Sequence, residues 1–138
     1  PLSVVFGVLY AGYAGRAILV NQAAWTSVVA GTLINWTALL LFVLPTRSYA
    51  VRWLNSPDLK KVGLGLFVGT WMVAGLVHLS TGVIVYWILN WANEFWLIIA
   101  PAAPIEHAVR CLAGTTIGVG VIAGLRATGI FKPPHAVY

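Results

Sequence analysis

The chain has 138 residues, 60% of them hydrophobic and 8% charged, against about 45–50% and about 25% in an ordinary soluble domain. A soluble protein this short cannot hide so much apolar surface, so lipid must cover it, and one domain is expected. The net charge of +5 sits at the ends of apolar runs and is not interleaved with polar surface, which marks membrane topology and argues against a nucleic-acid partner.

The first apolar run covers 2–20, which at about 1.5 Å per residue just spans a hydrocarbon core of about 30 Å. Gly7, Ala11 and Gly15 recur at every fourth position, the small-residue pattern that lets helices approach closely in lipid. Asn21 and Gln22 make a short polar turn before a second run at 23–44, which Pro45 stops. In that run Ser27, Gly31 and Asn35 share a face, and an amide at this depth needs a partner on another helix. Residues 46–61 are the one long polar connection, with Arg47, Arg52, Lys60 and Lys61 against Asp58. Tyr49 and Trp53 alternate with these charges, as expected of a segment lying along the headgroups. Arg52, Lys60 and Lys61 are candidate contacts for an anionic lipid headgroup, and the positive-inside rule puts this loop on the matrix or cytoplasmic side.

The third run, 62–89, exceeds what one perpendicular crossing requires. Gly65 and Gly69 form a second close-packing pair, and Gly75, His78 and Gly82 share a face farther on. Tyr86, Trp87, Trp91 and Trp96 are expected to form an aromatic belt where the chain leaves the membrane. The connection from 90 to 103 holds Glu94 and is broken up by Pro101 and Pro104, so a short helix lying in the interface or dipping back is expected there. The last run, 104–126, opens on Pro104 at a favourable first-turn position. Glu106 then falls where the helix dipole favours an anion. Arg110, one turn on, completes an i,i+4 ion pair, and the stripe continues to Gly114 and Gly118. A tail at 129–138 with Pro133, Pro134 and His135 should leave the membrane extended. The expected fold is an all-α polytopic integral membrane protein, a single domain over 1–138 with four transmembrane helices and both termini on the same side.

The chemistry-bearing residues are few. Cys111 is the single cysteine and supplies no disulfide or CxxC motif. His107 and Cys111 are neighbours on one helix face, yet a catalytic pair also needs an orienting group and an oxyanion site, which the sequence lacks, so the chain is not expected to be an enzyme on its own. A b-type haem needs two imidazoles on different helices at one level. His78 meets the local requirement, while His107 in a first turn sits about 16 Å away along the axis. The string His78-Leu-Ser-Thr-Gly82 resembles the HxxxG of haem-carrying anchor subunits of succinate dehydrogenase, a resemblance of five residues with no accompanying signature elsewhere. Transport is a further expectation: Asn35, His78, Glu106 and Arg110 would line a pocket if they converge. The glycine-rich and tryptophan-rich composition is similar to that of the small substrate-binding components of vitamin importers, which normally carry about two more spans. The leading expectation is a non-catalytic subunit that packs with other transmembrane subunits, and with bound lipids, in a respiratory or photosynthetic complex. The chain begins at Pro1 and its one methionine is Met72, so a cleaved targeting segment or a trimmed terminus is expected. A mitochondrial inner membrane and a prokaryotic plasma membrane fit equally.

Overall fold

A computed structural model of the chain describes residues 2–129; the expected tail, with Lys132 and His135, lies outside the described residues apart from Gly129. The elements are α1 (Leu2–Leu19), α2 (Trp25–Val43), α3 (Thr46–Leu54), α4 (Leu59–Leu89) and α5 (Asn93–Ala127), with no strand among the described residues. Three of them, α2, α4 and α5, are long and apolar enough to cross a membrane. The architecture is all-helical and compatible with an integral membrane location.

Side-chain contacts set the helix directions. Gly7 faces Leu39 and Tyr10 meets Asn35, which makes α1 and α2 antiparallel. Tyr10 faces Gly82 and Gly12 faces Trp87, so α4 runs parallel to α1 and therefore back along α2, which it meets closely where Gly75 lies over Ala38. Gly63 faces Val119 and Gly114 faces Thr70, so α5 reverses again. The basic connection folds as α3, which fits into the corner beside α4 because Gly65 brings the two backbones together; a Cβ there would come within 2.9 Å of the Ala50 carbonyl oxygen. The Asp58 carboxylate accepts from the Lys60 N–H at 2.9 Å and so caps the start of α4. At the other end of α4, Asn90 adopts a left-handed φ of 44°, a conformation that asparagine tolerates at a helix terminus. Its side-chain oxygen accepts from Asn21, and Asn93 donates to the Asn21 carbonyl, so both short turns close against each other.

Two expectations are corrected. The segment from 90 to 103 is not a separate interfacial piece, because α5 starts at Asn93 and runs through Pro101 and Pro104 for 35 residues, a length of about 52 Å. Each proline removes one backbone donor, and membrane helices tolerate this where neighbouring helices surround the gap. Here α2 supplies that support: Gly31 lies against Ile99 and Trp96. The aromatic belt is also only partly at the surface. Trp96 is fully buried and Tyr86 nearly so, joining Tyr10 and Tyr13 of α1 in a core. Tyr13 stacks on Tyr86 at 4.8 Å and Tyr86 meets Trp91 edge-on at 4.6 Å. Trp87 alone behaves as expected, half-exposed under the Arg16 guanidinium at 5.7 Å. The reason is that α1, α2 and the first turns of α5 converge around the end of α4, so an aromatic run long enough to flank a membrane is enclosed by protein instead.

Most of the expected close-packing residues do pack: Gly7, Gly31, Gly65, Gly75, Gly82, Gly114 and Gly118 each have a neighbour that a Cβ would press against or touch. Gly15 and Gly69 have none within 4 Å, and Ala11 is exposed. A Cβ at Gly75 would overlap that of Ala38. Gly75→Ala should therefore lower thermal stability in detergent by the ~1–3 kcal/mol of an overpacked core. Gly69→Ala should be neutral or gain up to ~1 kcal/mol from helix propensity. Equal losses in the two variants would show that the α2–α4 contact is not the limiting one.

Candidate functional site

The polar residues that the apolar helices carry gather at one level. Asn35 of α2 is 5% exposed and donates its side-chain N–H to the Tyr10 hydroxyl of α1. Trp71 of α4 donates its indole N–H to Thr37 at 3.1 Å, and its backbone carbonyl lies 3.2 Å from His107 Nε2 of α5. A carbonyl only accepts, so His107 carries its proton on Nε2 and Nδ1 is left as an acceptor. That Nδ1 is buried and has no hydrogen-bond partner. The imidazole also stands edge-on to the Trp71 ring at 4.8 Å.

Next to this buried group lies a charged one. Arg110 donates to the Glu106 carboxylate one turn earlier on α5 and also reaches His78 Nε2 of α4 at 3.0 Å. Since arginine has no acceptor, His78 Nε2 must be the unprotonated nitrogen and Nδ1 the protonated one. The rings of His78 and His107 are 5.9 Å apart and nearly perpendicular. The continuity of α5 explains their meeting. His107 lies about four turns into the helix and not in its first turn, which removes the offset expected along the axis. The same shift corrects the reading of Glu106. The acid that enjoys the helix dipole is Glu94, and the Glu106–Arg110 pair instead sits midway along α5.

Space accompanies these groups. A cavity of about 210 Å³ between α2, α4 and α5 is lined by Asn35, His78, Tyr86 and Glu106, with Gly31 and Ala103 making the room. A second, of about 280 Å³, shares His78, Tyr86 and Trp91 with it and is bounded by Thr81, Gly82 and Arg110. The Glu106 carboxylate borders the first and the Arg110 guanidinium the second, and the ion pair between them links the two. Aromatic faces form the wall between them. The combination offers hydrogen-bond donors, acceptors and stacking surface to one small molecule.

The arrangement does not favour a haem between the two histidines. A shared iron needs one nitrogen of each ring facing the other, whereas His107 Nε2 is held by Trp71 and His78 Nε2 by Arg110. The glycine of the HxxxG string, Gly82, admits the rings of Tyr10 and Tyr86. His107 and Cys111 share a face of α5, yet no hydrogen bond joins them among the described residues. Those residues also contain no group of three or more His, Cys, Asp or Glu able to hold a metal. Arg52, Lys60 and Lys61 are all exposed at the far end of the helices. Tyr10, Tyr86, Trp71 and Trp91 are site residues that sequence reasoning missed. The one legible signal was Tyr10, a hydroxyl inside an apolar run that demands a partner.

Fold and site together define an all-helical chain with three helices of membrane-crossing length and a polar cavity between them. Comparison with family models, with curated proteins and with solved structures finds no match.

Tyr10→Phe takes away the acceptor of the Asn35 amide and should cost about 1 kcal/mol of stability, the scale of side-chain hydrogen bonds between membrane helices. Asn35→Leu in the same background should add less than it does alone. Strictly additive losses, measured by thermal unfolding in detergent, would mean that the two side chains are not coupled.

Proposed function

We propose that the chain is a small-solute-binding component of a larger membrane assembly, with its solute held between α2, α4 and α5. The observation that carries this reading is the convergence of Asn35, His78, Glu106 and Arg110 from three helices around two adjoining cavities that share His78. Ionisable side chains in an apolar helix are costly and are kept where they face protein, water or a ligand. On this reading α1 crosses with the other three helices, which makes four spans. The positive-inside rule then puts α3 and both ends of the chain on the matrix or cytoplasmic side.

A second reading is favoured by a different observation. The Glu106 and Arg110 side chains remain 56% and 46% exposed at the middle of α5, and only 11% of the most apolar stretch of that helix is buried. Half-exposed charges at that depth call for a cover, which a helix of another subunit would provide. The chain would then be a non-catalytic subunit of an energy-transducing complex, respiratory or photosynthetic. The two readings share the assembly and differ in the solute.

The test is mass spectrometry of small molecules released from protein purified in mild detergent, run beside native gel migration. Solute binding predicts a near-stoichiometric small molecule in the wild type. Its amount should fall about tenfold or more in His78→Ala and in Arg110→Gln, since a hydrogen bond to a charged group is worth about 1.5–3 kcal/mol. Protein that comigrates with redox subunits and releases no solute would replace this reading with the second.

A further inference from the structure

We propose that the groove between α3 and α4 is a site for one anionic phospholipid, with an acyl chain along α4 and the phosphate at the basic turn above it. The groove shares no lining residue with the cavities around His78, and only its extension along α4 reaches their rim at Thr81. It has a volume of about 390 Å³ and is lined by Leu54, Gly65, Leu66, Gly69, Thr70 and Val73. Val73 also borders a second groove of about 320 Å³, which continues along α4 to Thr81. From Gly65 to Val73 the first groove runs about 12 Å along the helix, close to the roughly 15 Å that one leaflet contributes to the hydrocarbon core.

The groove has an open floor and two walls. The floor at Gly69 is open, since a Cβ there would meet nothing within 4 Å. The side toward α3 is closed by Ala50 and Leu54 against Gly65, and on the other side Leu66 packs against Gly118 of α5. Its lining is apolar apart from Thr70, as an acyl chain requires.

The upper end supplies the charge. Arg126 of α5 donates to the Ser56 and Pro57 carbonyls at 2.8 and 3.3 Å, which ties the end of α5 to the α3–α4 turn. Within that turn the Asp58 carboxylate accepts from the Lys60 backbone N–H. The Glu106–Arg110 pair is the only salt bridge among the described residues, so none of Arg52, Lys60 and Lys61 is held in one. Arg52 stands over the Tyr49 ring with its guanidinium carbon 4.8 Å from the centroid. Arg52, Lys60 and Lys61 are exposed on the two sides of the α3–α4 turn, close in sequence to the lining residues Leu54 and Gly65, and cations beside an apolar groove match a phosphate on an acyl tail.

The test is native mass spectrometry of the full chain released from nanodiscs of phosphatidylcholine and phosphatidylglycerol in equal amounts. The wild type should retain one lipid and prefer phosphatidylglycerol by about tenfold. Replacing Arg52, Lys60 and Lys61 together by Gln should abolish that preference while a lipid is still retained. Gly69→Leu, which fills the groove from a position that packs against nothing, should abolish retention of either lipid without changing thermal unfolding. Equal retention of the two lipids by the wild type would overturn the proposal, as would unchanged retention in Gly69→Leu. Displacement of the bound lipid by millimolar inorganic phosphate would show a site for free phosphate and would also overturn it.

Discussion

The close approach of α4 to α2, where Gly75 lies over Ala38, decides which polar groups in this protein can meet. In lipid there is no hydrophobic force to hold one apolar helix against another, so association rests on contact between surfaces with little bulk and on hydrogen bonds. With the two helices at this separation, the Trp71 indole reaches Thr37 and its carbonyl meets His107 from the other side. Asn35 is turned toward Tyr10 in the same layer. The polar level and the aromatic core below it are thus consequences of one backbone distance. A bulkier residue at 75 would separate the helices and leave those groups without partners.

The second constraint is the continuity of α5. Two prolines inside an apolar sequence suggest a break, and a break would put Glu106 at a helix start and His107 far from His78. In the folded chain the helix persists, because α2 packs across the proline-containing turns through Gly31. His107, Glu106 and Arg110 are thereby moved to the depth of His78. The ion pair that looked like a dipole-matched helix entrance becomes a charged group in mid-helix, hydrogen-bonded to an imidazole of another helix. Its function changes with its depth: at a helix entrance a pair of charges is solvated, whereas at mid-helix it needs a ligand, water or another subunit.

The two ends of the molecule divide the work. At the α3 end, exposed cations and the capping Asp58 lie on the turn between α3 and α4, and an apolar groove is lined by Leu54 and Gly65 on either side of that turn. At the opposite end, the Asn21, Asn90 and Asn93 bonds close both short turns over a core of tyrosine and tryptophan. The polar cavity lies between, reached from the faces of α4 and α5 where Thr81, Gly82 and Arg110 form its rim.

Composition alone determined that the chain is apolar enough for a membrane, with 60% hydrophobic and 8% charged residues, and three helices of membrane-crossing length are compatible with that location. Local spacing determined the Glu106–Arg110 pair, because i,i+4 geometry is a property of any helix, while the same spacing left Gly15 and Gly69 without a contact. Tertiary structure decided the rest. Whether a proline ends a helix depends on what packs beside it, and whether a tryptophan is a belt or a core residue depends on which helices surround it. The partners of Asn35, His78 and His107 lie 25, 32 and 36 positions away in sequence, a separation that no local pattern encodes. The demand for a partner was legible at Asn35, and its identity followed only from the distance that Gly75 allows between α2 and α4.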